Sequence, residues 1–147
     1  MYTVKQFEIA KPANVVYSNF RLKDHNVLYA LGYTFKDGKV VDYDAKQGRE
    51  YLTNLIETDE NSCYLGEVAL VDHYSPISQS NMIFFETLYD ENASCHLALG
   101  AAYPTCLAHS DGLSQEELHA RGLNTSLAHT DFMIGHEKMN IKGITKD

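Results

Sequence analysis

The chain has 147 residues, 44% hydrophobic and 22% charged, which is the size and composition of one ordinary domain able to build a core without disulfide staples. Its 20 acidic residues outnumber 12 Lys and Arg, and a formal charge of -8 opposes broad contact with phosphate backbones, so no nucleic-acid partner is expected. No apolar run approaches the roughly 20 residues of a membrane helix. The three cysteines, Cys63, Cys95 and Cys106, match no zinc-knuckle spacing, so a cytoplasmic chain without a membrane partner and with three buried thiols is expected.

Residues 2–9 already alternate in polarity and residues 139–144 are still patterned near the end, which reads as a piece of a longer protein. Tyr33-Thr34-Phe35-Lys36 and Lys39-Val40-Val41-Asp42-Tyr43 flank Asp37-Gly38, a pair that tolerates positive φ, and together they predict a β-hairpin. Asp44 is then placed to cap a helix in which Leu52, Leu55 and Ile56 recur at the helical period, with an end near Asp59. Residues 66–71 form a short apolar run of the kind buried on both faces of a sheet, which makes Glu67 anomalous. Residues 82–89 partly satisfy both periods and lean toward helix. Ser114 and Glu117 form a capping-box pattern for a helix of about two turns that Gly122 can close. Residues 129–134 and 139–144 predict two strands joined through Gly135. The fold class expected is α+β, a strand-rich single domain with two or three short helices.

Glu67, His96, and the pair His129 and Asp131 each interrupt an apolar segment, where an unpaired polar group is costly and something must compensate it. In an extended strand, residues two apart project from one face, so His129 and Asp131 would present imidazole and carboxylate side by side. That pair can chelate a divalent ion or form a simple His-Asp hydrogen bond, and both readings stay open on the residues alone. Convergence with Glu67 and His96 would give two nitrogens and two carboxylates, a donor set compatible with hydrolytic metal chemistry. Tyr103 follows His96 by seven residues and would face the other way in an unbroken strand, although Gly100 permits a bulge or turn. A phenol brought near such a site can stabilise an oxyanion, while the default role of one tyrosine among ten is packing.

The chain resembles the thermophilic-type metallo-aminopeptidase family. The resemblance rests on Thr34-Phe35-Lys36-Asp37-Gly38-Lys39-Val40-Val41, Leu65-Gly66-Glu67-Val68-Ala69-Leu70-Val71 and Ser75-Pro76-Ile77-Ser78. It rests equally on Asp90-Glu91-Asn92-Ala93-Ser94-Cys95-His96-Leu97-Ala98-Leu99-Gly100 and His129-Thr130-Asp131-Phe132-Met133-Ile134-Gly135. It covers nearly the whole chain, most weakly over the first 30 residues. What it implies is an exopeptidase that takes peptide substrates and removes their N-terminal residues with two divalent metal ions, cobalt or zinc, inside a homodimer. It further implies that Glu67, His96, His129 and Asp131 are metal ligands and that Tyr103 is the catalytic tyrosine.

There are departures from the family pattern. An N-terminal α/β domain and an upstream Thr-Glu-Glu segment, which would supply a further ligand and the acid/base carboxylate, are not in this sequence. Residues 1–147 are therefore expected to be a metal-binding catalytic-domain fragment, with little or no turnover alone. Gly135-His136 replaces the commoner Gly-Ser, and the sequence stops before the family's usual last strand. A noncatalytic metal-binding or dimerisation domain is the alternative function.

Overall fold

The computed structural model describes residues 19–21 and 27–141. They form an α+β fold of two three-stranded antiparallel sheets with short helices between and around them. In the first sheet β1 (Asn19–Arg21) pairs with β2 (Val27–Lys36), which pairs with β3 (Lys39–Gln47). The expected hairpin is present: Asp37 and Gly38 both take positive φ, the twist that joins two strands through a two-residue turn.

The second strand of the hairpin is longer than the sequence pattern indicates. β3 continues to Gln47, so Asp44 lies within the strand and does not cap a helix, correcting the expectation. Pairing across the sheet outcompetes the local capping preference, and the chain leaves the strand only at Gly48, the left-handed residue before α1 (Arg49–Ile56). This helix buries Leu52 and Ile56 and leaves Arg49, Glu50 and Glu57 in water.

The second sheet has the order β4 (Leu65–Ala69), β5 (His96–Gly100), β6 (His129–Met133). β4 is an edge strand whose Val68 is exposed, as is Leu70 just beyond it, so it is not buried on both faces as expected. The fully buried strand is β5, in the middle. Between β4 and β5 lie α2 (Pro76–Ser80), capped by the Ser75 hydroxyl, and a single turn, α3 (Thr87–Asp90), which runs into a 3-10 turn at Glu91–Ala93. Only the end of the 82–89 stretch is helical; residues 82–86 are irregular and most of the stretch is exposed. α4 (Gln115–Ala120) has both hydrogen bonds of the expected capping box, with Leu118 buried beneath it.

Beyond Met133 the described residues through Ile141 form no strand, and the rest of 139–144 lies outside the described residues, as does all of 2–9. Cys63 and Cys95 are buried free thiols, but Cys106 is exposed because it ends a surface 3-10 turn at Pro104–Cys106.

The two sheets meet through one apolar cluster in which Tyr33, Val40 and Leu52 pack against Leu97, Leu99 and Phe132. The Tyr33 and Phe132 rings lie 4.8 Å apart, and Phe132 is fully buried, a gain of about 2 to 3 kcal/mol for that side chain. Because neighbours along a strand alternate faces, committing Leu97, Leu99 and Phe132 to this core turns His96, Ala98, Gly100, His129 and Asp131 to the other side.

Candidate metal centre

Strand register assembles the site. Ala98 is paired on one side with Glu67 and on the other with Asp131, while His129 pairs with Gly100 and His96 precedes Ala98 by two residues. A bulge between Leu65 and Glu67 shifts the register of β4, and this shift puts Glu67 level with Ala98 and Asp131. The bulge depends on close backbone approach: a Cβ at Gly66 would collide with the carbonyls of Gly100 and Ala101.

The four polar side chains converge. His96 Nε2 is 3.3 Å from Glu67 Oε1, and His129 Nε2 is 3.3 Å from Glu67 Oε2 and 3.4 Å from Asp131 Oδ1. Glu67, His96 and Asp131 each bring one donor atom within 4.8 Å of the others. His96 and Asp131 are buried, whereas the Glu67 and His129 side chains retain 25% and 20% exposure, so the site opens to solvent on their side.

Both imidazoles are held by their other nitrogen. His96 Nδ1 lies 2.9 Å from the Ser94 carbonyl and His129 Nδ1 lies 2.7 Å from the Ala101 carbonyl. A carbonyl can only accept, so each Nδ1 carries the proton and donates, leaving the neutral ring's Nε2 lone pair to face the carboxylates. Backbone support of this kind fixes tautomer and orientation in metal-ligating histidines.

What faces inward is therefore acceptor against acceptor. His96 Nε2 and Asp131 Oδ1 are buried with no hydrogen-bond partner among the described residues, although Asp131 Oδ1 lies 3.4 Å from His129 Nε2. Buried unpaired groups of this sort are rare because each costs about 1 to 3 kcal/mol. A cation resolves all of these contacts at once. Protonation of His129 is the substitute open to the bare protein: the adjacent Asp131 carboxylate, with help from the Ala101 carbonyl and Glu67 and against burial, pushes its pKa up to about 9. The residues present thus fit a divalent metal.

Tyr103 comes to the same place. β5 ends at Gly100, whose positive φ lets the chain turn, and the Tyr103 ring lies tilted against the His129 ring with centroids 5.0 Å apart. Partial burial and then the charges of Glu67, Glu91 and Asp131 raise its pKa, keeping the exposed phenol protonated.

Glu91 is a carboxylate that sequence reasoning missed. Its pKa is raised by burial first and then by the Asp131 charge, with His96 opposing and Glu67 adding to the rise, so it sits within the field of the cluster. Its polar surroundings in Asp90-Glu91-Asn92 hid it, since an acid there interrupts nothing apolar; the available signal was its position five residues before His96. The exposed Cys106 and the sulfur of Cys95, which bonds to the Val71 backbone, take no part.

Residues 16–147 match the thermophilic metalloprotease (M29) family. Over 122 residues the chain is 58% identical to Aminopeptidase 2 of Geobacillus stearothermophilus and 53% identical to Aminopeptidase AmpS of Bacillus subtilis, covering 83% of this chain and 30% of each relative. Among solved structures, wild-type AmpT from Thermus thermophilus superposes with a TM-score of 0.65 at 40% identity, covering 77% of this chain and 27% of that one. The chain spans about 30% of the length of the curated relatives it matches. The chain belongs to the thermophilic metalloprotease (M29) family.

Proposed function

We propose that residues 1–147 are the metal-binding catalytic portion of a cytoplasmic, homodimeric metallo-aminopeptidase that removes N-terminal residues from peptides. The observation that carries this reading is the all-acceptor convergence of Glu67, His96, His129 and Asp131. Those four side chains, two carboxylates and two imidazoles, are the proposed ligands of two ions, zinc or cobalt. Bound divalent cations supply Lewis acidity and lower the pKa of water.

The chain's own residues do the rest. The Ser94 and Ala101 carbonyls orient the two imidazoles. The Tyr103 hydroxyl, whose pKa is raised first by partial burial and then by the charges of Glu67, Glu91 and Asp131, donates a hydrogen bond to the peptide carbonyl oxygen as it gains charge, an interaction of the type worth roughly 10²- to 10³-fold in rate.

The test is hydrolysis of an aminoacyl anilide by a protein of the relatives' full length, together with metal analysis of the 147-residue chain. The reading expects His129→Ala to abolish turnover and metal to copurify with the chain; undiminished hydrolysis rejects the assignment. Metal held by a full-length protein that never turns over supports the other reading, a noncatalytic metal-binding or dimerisation domain.

A further inference from the structure

The middle strand of the second sheet contributes His96, Ala98 and Gly100 to the polar face, and Ala98 stands directly between Glu67 and Asp131 in the register. Strands on either side of a common neighbour are roughly 10 Å apart, two spacings of about 4.8 Å. Yet a Glu67 oxygen and an Asp131 oxygen come within 4.8 Å of each other and of His96 Nε2. The two carboxylates therefore lean inward across the central strand, over position 98.

Ala98 itself is 0% exposed, but it is not part of the apolar cluster that its neighbours Leu97 and Leu99 join. Its methyl points to the face of the sheet that carries its paired neighbours Glu67 and Asp131. We propose that Ala98 is a positioning residue of the metal seat: its single methyl is the floor that keeps clear the space where the ligand atoms converge. This inference rests on reading the cluster as a metal centre. A branched side chain there would rise between the two carboxylates and hold them apart, while leaving the opposite, core-facing side of β5 unchanged.

The experiment measures Co²⁺ affinity by titration calorimetry, and the visible absorption spectrum of bound Co²⁺, in the 147-residue chain. The variants are Ala98→Gly, Ala98→Ser, Ala98→Val, and Leu99→Val as a control on the other face. Ala98→Val is expected to lose affinity about 10- to 100-fold, in the range of displaced metal-supporting residues, with an altered spectrum. Ala98→Gly should keep affinity within roughly threefold of the parent. Leu99→Val should lower Tm yet leave affinity and spectrum as they were.

Parental affinity in Ala98→Val, or an equal loss in Leu99→Val, overturns the inference. Should Ala98→Val fail to fold, the smaller pair decides: weaker binding by the Ser variant than by the Gly variant supports the floor, and equal binding refutes it. Absence of Co²⁺ binding by the unaltered chain is a different outcome, since it removes the metal centre and this inference together.

Discussion

His129 and Asp131 concentrate the unresolved charge of the site, and each leads to a measurable consequence. His129 binds its proton more tightly in the folded chain than its ordinary value of 6.5 allows, with a pKa of about 9. That contribution to stability is fully present below pH 6.5 and is lost as pH rises through 9, on the order of 1 to 3 kcal/mol in all. Denaturant unfolding of the chelated protein across this range should show the decline in the parent and not in His129→Ala; equal slopes would contradict the assignment. Asp131 offers a second test because its buried Oδ1 accepts no hydrogen bond among the described residues and faces the His129 imidazole at 3.4 Å. An Asp131→Asn side chain can turn its NH₂ toward Glu67 or His96, so above pH 9, where His129 has lost its proton, the chelated variant should be within about 1 kcal/mol of the parent, or more stable. The same variant should lose most of its affinity for Co²⁺ or Zn²⁺. A large loss of metal-free stability with unchanged metal affinity would instead mark an ordinary hydrogen-bonded carboxylate.

The strands place these groups, and the bulge in β4 is the most exacting part of the arrangement. Gly66→Ala puts a Cβ against the Gly100 and Ala101 carbonyls, so it should cost about 2 to 4 kcal/mol and also weaken metal binding by moving Glu67 out of line with Ala98. Ser114→Ala, which removes the cap of α4, should cost about 1 kcal/mol in an unfolding titration and leave metal affinity untouched. The contrast separates a residue that shapes the site from one that stabilises an element remote from it. What could be read from the sequence follows the same division. The Asp37-Gly38 hairpin, the Ser114 capping box and the His129-x-Asp131 period are local, and local chemistry decides them. Asp44, β4 and residues 82–86 were misread because pairing partners distant in sequence decide whether a strand continues, lies at an edge or never forms. Glu67 and His96 were legible as anomalies among aliphatics, Glu91 was not, and the turn that brings Tyr103 to His129 depends on the backbone of Gly100.

Taken as a molecule, the described residues carry an apolar core shared by two sheets and a polar face on which the metal ligands are proposed to lie. Residues 82–89, adjoining the turn that carries Glu91, leave Met82, Ile83, Phe85 and Leu88 largely exposed, and the chain spans about 30% of the relatives' length. No helix among the described residues is long and apolar enough to cross a membrane. If the polar face holds ions, metal adds binding free energy to folding: at a hundredfold excess over Kd the gain is about 2.7 kcal/mol, a rise in Tm of several degrees that chelator reverses. The most direct measurement is anomalous diffraction from crystals of the chain soaked in Co²⁺ or Zn²⁺. A peak at about 2.0 to 2.2 Å from His96 Nε2 and from oxygens of Glu67 and Asp131 is the predicted result; an occupied ion elsewhere with this cluster empty, or no peak at all, would contradict it.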